Sequence, residues 1–244
     1  SCKIDEIKDV ARRNNVLLIE DAAEGLGSSI NNRKVGSVSD SAIFSFCGNK
    51  VLTTGEGGAI VTNSKEVFEK AKLIRSHGRI DNVAYFDNVN SSNYLDIGYN
   101  WRMSSITAAL GISQIGKLDK IIDKRQKNAS YIIKGLERNS EIILPRALEK
   151  FEHIYQLFTI RLNNKKIRNE LHDYLTEKKI FSKIYFEPIH LSMFYRRKFG
   201  FKEGDLPITE KLSEQVLTIP LYPNMTKEEM DYLVNSILEF FETK

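Results

Sequence analysis

The sequence is poor in cysteine, tryptophan and proline: its 244 residues include two cysteines, one tryptophan and five prolines. Two thiols, Cys2 and Cys47, are too few for a disulfide scaffold and lack the spacing of a metal site, so a reducing compartment and no metal are expected. Cys47 reads as a small buried residue in preference to a nucleophile. No apolar run approaches membrane-spanning length and no signal peptide opens the chain, which predicts a cytoplasmic protein with no membrane partner. Charge of one sign is also missing. Lysine and arginine total 36 against 32 acidic residues, a net charge of +4, and the basic residues are spread among the acids. That excludes a nucleic-acid-binding patch, while the mild positive balance suits a small anionic substrate. There is no internal repeat and no low-complexity segment.

What remains is an ordinary globular composition, 41% hydrophobic and 28% charged, in a chain long enough for one large domain or two small ones. The most informative stretch is Ser45-Phe46-Cys47-Gly48-Asn49-Lys50 followed by Thr53-Thr54-Gly55-Glu56-Gly57-Gly58. Ser41 to Phe46 reads as a short strand covered on both faces, and Ala59 to Thr62 resumes the sheet after the turn. A lysine at a strand end, flanked by hydroxyls and glycines, can form a Schiff base if its pocket is partly desolvated. The same residue can also be a solvated loop lysine.

A second stretch bears on that choice. Val16-Leu17-Leu18-Ile19-Glu20-Asp21 reads as a parallel strand ending in two carboxylates, and open α/β sheets bind ligands outside the carboxyl ends of their strands. Asp21 and Lys50 are then expected at one rim. Pyridoxal phosphate uses that pair, the lysine to hold its aldehyde and the acid to keep its ring nitrogen protonated. Ser45, five residues before Lys50, offers a hydroxyl to the phosphate. Taken singly, Asp21 reads equally well as a helix N-cap ahead of Ala22-Ala23.

Glu20-Asp21-Ala22-Ala23-Glu24, Gly36-Ser37 with Asp40, Phe44-Ser45-Phe46 with Lys50, Thr54-Gly55-Glu56-Gly57-Gly58, Arg75-Ser76-His77-Gly78 and Gly98-Tyr99-Asn100-Trp101-Arg102-Met103 occur in that order. The chain resembles the DegT-type sugar-nucleotide aminotransferases throughout its length, with wording most similar to their perosamine-synthase branch. The resemblance implies an α/β protein with the aspartate-aminotransferase-like fold of PLP-dependent transferases. Residues 1–125 would form the rear part of the large sheet domain and residues 126–244 a smaller C-terminal α/β domain. It implies pyridoxal 5′-phosphate as cofactor, with Lys50 and Asp21 catalytic, and with Glu24 beside the ring hydroxyl. Ser45 would lie at the phosphate, and Asn100 would reach the phosphate of the neighbouring subunit in a homodimer with shared active sites. Substrates would be a nucleotide-linked sugar and an amino donor, glutamate foremost. Arg102, Tyr185 and His190 are candidate substrate contacts, although a core tyrosine and a surface histidine are the readings that local sequence favours for the last two. The alternatives are a PLP-dependent sugar dehydratase, whose relatives carry histidine in place of this lysine, and a non-catalytic cofactor-binding regulator or fragment. In the family, a longer N-terminal part precedes the point where this chain begins, and it carries a phosphate loop and an aromatic that stacks on the cofactor. The 244 residues alone are therefore expected to bind the cofactor poorly.

Elsewhere, periodicity predicts helices over Ile4 to Asn14, Ser64 to His77 with Gly78 as a left-handed cap, Lys165 to Lys178, and a final one capped by Thr226. One long helix is expected from Ser104 to about Leu136, buried along Ala108, Leu110, Ile112, Ile115, Leu118, Ile121 and Ile122. Ile154 to Leu162 alternates as a half-buried strand, and Phe181 to Phe186 reads as another. Leu206-Pro207 reads as a rigid extended piece. Asp81 to Asp96 reads as an irregular loop.

Overall fold

A computed structural model describes residues 2–79 and 94–243, so most of the expected 81–96 loop lies outside the described residues. The chain forms two units, Ser1–Lys120 with Glu149–Gln156, and Ile121–Leu148 with Leu157–Lys244.

In the first unit, helix α1 (Ile4–Arg13) buries only Ile4 of its apolar stripe. Strands β1 (Ile19–Asp21), β4 (Ser41–Ser45) and β5 (Gly58–Thr62) form a sheet in the order β1-β4-β5. β1 runs parallel to β4, and β5 runs antiparallel. Asp40 sets the start of the parallel pair: its carboxylate accepts from the Leu18 amide at 2.7 Å, and its own amide donates to the Leu18 carbonyl at 3.0 Å. The expectation of strands covered on both faces holds for one face only. Ala42 is fully buried, whereas Ile19, Ile43 and Ile60, which share the opposite face through the strand register, are 66%, 40% and 56% exposed.

A second small sheet joins β2 (Ser29–Ile30), β3 (Arg33–Lys34) and β6 (Phe151–Glu152). Its β2–β3 turn places both Asn31 and Asn32 at positive φ, the geometry that suits the right-handed twist of a tight hairpin. Ile4, Ile30 and Val38 form its core, with Leu18 and Phe151 packed against them.

Helix α2 (Lys65–Arg75) starts where the Ser64 hydroxyl accepts from the Val67 amide. At its end His77 and Gly78 both take positive φ, and the Gly78 amide returns to the Leu73 carbonyl. Gly78 then meets Gly98 backbone to backbone. A Cβ on Gly98 would fall 1.9 Å from the Gly78 nitrogen, so neither position has room for a side chain. This crossing lays residues 99–101 along the end of α2, with the His77 amide donating to the Tyr99 carbonyl and the Trp101 amide to the Arg75 carbonyl, both at 3.0 Å.

The single long helix expected from Ser104 is two, α3 (Ser105–Ile115) and α4 (Leu118–Leu136). The break falls at Gly116-Lys117, where glycine lowers the cost of leaving the helix. The predicted buried stripe begins only at Ile122: α3 has no fully buried residue, and Leu110, Ile112 and Ile115 are exposed.

The second unit pairs β7 (Phe158–Arg161) antiparallel with β8 (Val216–Ile219). Helix α5 (Lys165–Glu177), capped by Asn164, packs against α8 (Lys227–Glu242), where Thr226 and Glu229 form a reciprocal capping box. Leu171, Leu175, Leu217 and Ile237 are fully buried, each stabilising the unit by about 1.5–3 kcal/mol. Between them lie a 3₁₀ turn, Ile189–Leu191, and helices α6 (Met193–Phe199) and α7 (Pro207–Gln215). Two expectations are corrected. Residues 181–186 form no strand, only a bridge from Lys183 to Thr218, and Phe181 is 84% exposed. Pro207 opens α7 at a first-turn position, where its missing amide costs nothing.

Candidate active site

The parallel pairing of β1 with β4 brings their carboxyl ends to one rim. Asp21 lies opposite Ile43, and Ser45 follows two residues later along β4. Asp21 is exposed, and one of its carboxylate oxygens accepts from the Ala23 amide at 3.1 Å. No helix follows Asp21, so the helix N-cap reading is not realised; residues 23–27 form turns, and the carboxylate closes the first of them through one oxygen. Its neighbour Glu20 faces the other way and holds the following turn, accepting from the Gly36 amide at 3.1 Å and the Ser39 hydroxyl at 2.8 Å.

Beyond Ser45 the chain folds into a tight loop. The Ser45 hydroxyl accepts from the Cys47 amide at 3.3 Å, and the Lys50 amide donates to the Cys47 carbonyl at 3.0 Å. The Phe46 carbonyl accepts from the Thr54 amide and the Thr53 hydroxyl, at 2.9 and 3.1 Å, closing the loop at its base. The Lys50 side chain is 14% exposed, and its amine forms an ion pair with Glu24. Lys50 is thus mostly shielded, in contrast to the solvated loop lysine the sequence also permits. Gln156, which no motif singled out, hydrogen-bonds the backbone on both sides of Lys50. Its sequence signal is a polar residue at a buried position of an otherwise apolar alternating row.

Asn100 and Arg102 form a second cluster. The Arg102 Nε donates to the Asn100 side-chain oxygen at 3.4 Å, and its Nη2 lies 3.4 Å from the His77 Nε2. Among the described residues, Arg102 is thus held by Asn100 and His77, with no acidic partner. Met103 continues this segment to the lysine loop: its methyl would lie 2.6 Å from a Cβ on Gly57. Tyr99 and Trp101 stack with ring centres 4.2 Å apart, and both are exposed.

In the second unit, Tyr185 is half-buried with the Lys183 amine 4.9 Å above its ring. His190 is not the surface histidine that local sequence favours. It is 6% exposed, and its Nε2 lies 3.0 Å from the Glu210 carboxylate, which also accepts from the Gly204 and Leu206 amides. Those hydrogen bonds hold the Glu210 carboxyl below its ordinary range, the Gly204 amide contributing most and His190 next. Its geometry is that of a loop brace. Among the described residues no group of three or more His, Cys, Asp or Glu is placed to hold a metal ion, and no helix is long and apolar enough to cross a membrane.

A family model described as the DegT/DnrJ/EryC1/StrS aminotransferase family matches residues 1–238. The chain belongs to this family. The GDP-perosamine synthase of Escherichia coli O157:H7 is 32% identical over 243 residues, covering 100% of this chain and 63% of that protein. The Helicobacter pylori aminotransferase PseC, involved in the biosynthesis of pseudoaminic acid, superposes with a TM-score of 0.92 at 27% identity, over 100% of this chain and 64% of its own. A sugar aminotransferase structure from Streptococcus pneumoniae in its PLP form shares the fold, with a TM-score of 0.89 at 22% identity over 100% of this chain and 66% of that one. The chain thus spans a little under two thirds of the length of the curated relatives it matches. The aspartate-aminotransferase-like fold of PLP-dependent enzymes is shown by these neighbours, and PLP is the cofactor of the family. The side chains at the rim are of the kinds that cofactor needs: a shielded primary amine, a carboxylate with one oxygen not engaged by the turn, and a hydroxyl at a tight, glycine-containing loop.

Proposed function

We infer that the protein acts in a PLP-dependent aminotransferase that moves an amino group, from glutamate in the favoured case, to a keto carbon of a nucleotide-linked deoxysugar for polysaccharide or glycan assembly. The observation that carries this reading is the shielded Lys50 amine, held by Glu24 beside the rim where β1 and β4 end. PLP, when bound, supplies a carbonyl for amine exchange and a ring that takes up the electrons released as a C–H bond breaks. Lys50 is the residue that would hold PLP, and its amine, shielded beside Glu24, would be the group that takes up and returns a proton there. With PLP bound, Asp21 would supply the negative charge for its ring nitrogen, Ser45 a hydroxyl for its phosphate and Glu24 a carboxylate for its ring hydroxyl. Asn100 would serve the phosphate in the partner subunit of a homodimer. Arg102, oriented by Asn100 and His77, offers its remaining guanidinium hydrogens to an anionic substrate group. Tyr185 is retained as a candidate sugar contact. His190 is buried against Glu210, which favours a role through that loop over direct substrate contact.

Relatives such as GDP-perosamine synthase and PseC serve different sugar products by name, so the sugar and its nucleotide are to be found by screening keto-sugar nucleotides with glutamate by mass. Lys50 favours transamination over the dehydratase alternative. The decisive experiment is borohydride reduction of the PLP-loaded full-length enzyme followed by peptide mapping. The cofactor should be fixed to the peptide containing Lys50. Recovery on Lys34 or any other lysine alone ends this reading.

A further inference from the structure

From Ile154 to Leu162 every even-numbered side chain is buried, and all are apolar except Gln156, which is 9% exposed. A polar group in that row costs stability unless fully paired. Its partners are specific. The Gln156 Oε1 accepts from the Val51 amide at 2.7 Å, and its Nε2 donates to the Asn49 carbonyl at 2.7 Å. An N–H can only donate and a carbonyl only accept, so these two partners fix which end of the amide is which. They are the main-chain groups immediately before and after Lys50. The Lys50 amide is itself taken by the Cys47 carbonyl at 3.0 Å. Val51 and Leu52 are buried at 9% and 1% exposure, so water cannot easily replace the glutamine.

We propose that Gln156 is the positioning residue of Lys50: its side-chain amide clamps both flanking peptide groups and so sets the point from which the lysine side chain swings. The inference rests on the reading of Lys50 given above. A flexible four-carbon arm ends on a reacting atom with useful accuracy only if its base is fixed, because displacements of about 1 Å at a reaction centre cost about 100-fold in rate. A primary amide offers a donor and an acceptor on one planar group and stays uncharged at every working pH. Leucine keeps the volume and loses both hydrogen bonds. Glutamate keeps the acceptor for Val51 and, when ionised, sets a negative oxygen against the Asn49 carbonyl; protonated, it restores the donor.

The test uses full-length enzyme carrying Gln156→Leu and Gln156→Glu. Hydrogen exchange at the Val51 amide should quicken at least about tenfold in Gln156→Leu, while amides of the second unit are unchanged. For that variant kcat should fall at least about tenfold with the KM for the amino donor within about twofold of wild type. For Gln156→Glu the ratio of its kcat to that of wild type should climb as pH is lowered, a recovery that loss of packing would not produce. If Gln156→Leu does not fold, the Gln156→Glu ratio decides alone. Wild-type exchange at Val51, or an unchanged kcat with a flat Gln156→Glu ratio, overturns the clamp. Borohydride labelling of the wild-type enzyme is run alongside: label away from Lys50 sinks the functional reading, and the Val51 exchange result then still tests the clamp.

Discussion

The amine of Lys50 is ion-paired with the carboxylate of Glu24, although the two are 26 residues apart in sequence. The glutamate side chain is half exposed, so the pair contributes no more than about 1 kcal/mol to folding. On the proposed reading its importance is chemical, as a fixed charge against the amine that would carry the proton. Glu24→Gln in the full-length enzyme should leave the denaturation midpoint nearly unchanged and lower kcat about tenfold or more. Wild-type kcat in this variant would remove Glu24 from the reaction.

Asp21 provides a cleaner separation of fold from chemistry. Only one of its oxygens serves the turn, accepting from the Ala23 amide, and an asparagine oxygen can accept the same bond. Asp21→Asn should therefore fold normally by circular dichroism while its turnover drops by at least about 100-fold, since the amide carries no charge to hold a protonated ring nitrogen. Near-normal turnover rules out the electronic role.

Asn100 is proposed to serve the neighbouring subunit's pocket. Mixing inactive Lys50→Ala and inactive Asn100→Ala full-length subunits should then restore activity. A mixed two-fold dimer has one pocket with both native residues and one with neither, so random exchange should return about a quarter of wild-type activity. Demonstrated subunit exchange without activity would place Asn100 in its own subunit's pocket.

Glu210 predicts a pH effect remote from Lys50 in sequence. Its carboxyl lies below the ordinary value of 4.5, through the Gly204 amide first and His190 second. A depressed carboxyl adds stability above its unfolded value, and that contribution is lost as pH falls through the lowered, folded value. Protection factors of the Gly204 and Leu206 amides should be full at neutral pH and decline below about 4.5. Glu210→Gln, which keeps an acceptor but cannot titrate, should flatten that decline. An equal acid response in both proteins would assign it to other groups.

Much of this was legible in the sequence where the signals are local. The helix starts at Ser64 and Ser104, the Thr226 cap, and the strand, lysine loop and returning strand around Lys50 all follow from residues within a few positions of one another. Three kinds of feature were not. The openness of Ile19, Ile43 and Ile60 escapes a pattern that reports only which face can be buried, not what lies over it. The Gly78–Gly98 crossing joins two glycines whose closeness neither flank announces. At residues 181–186 apolar composition mimics a strand, while a single bridge to Thr218 is all the pairing formed. The site divides in the same way: motif order carries Lys50, Asp21 and Ser45, whereas the Lys50–Glu24 pair, the His77–Arg102 contact and Gln156 depend on tertiary placement.

The alternating burial of β7 and its end, from Phe158 to Leu162, makes this strand far more tolerant of exchange than of indels. Ile160→Val would trim a methyl group at a cost of about 0.5–1.5 kcal/mol. One residue inserted after Phe158 would instead invert the strand side chains that follow, because the strand period is two. Thr159 and Arg161 would then take the interior places of Ile160 and Leu162. Among folded variants of this chain, the spacing from Phe158 to Leu162 should drift less than the identity of its apolar residues.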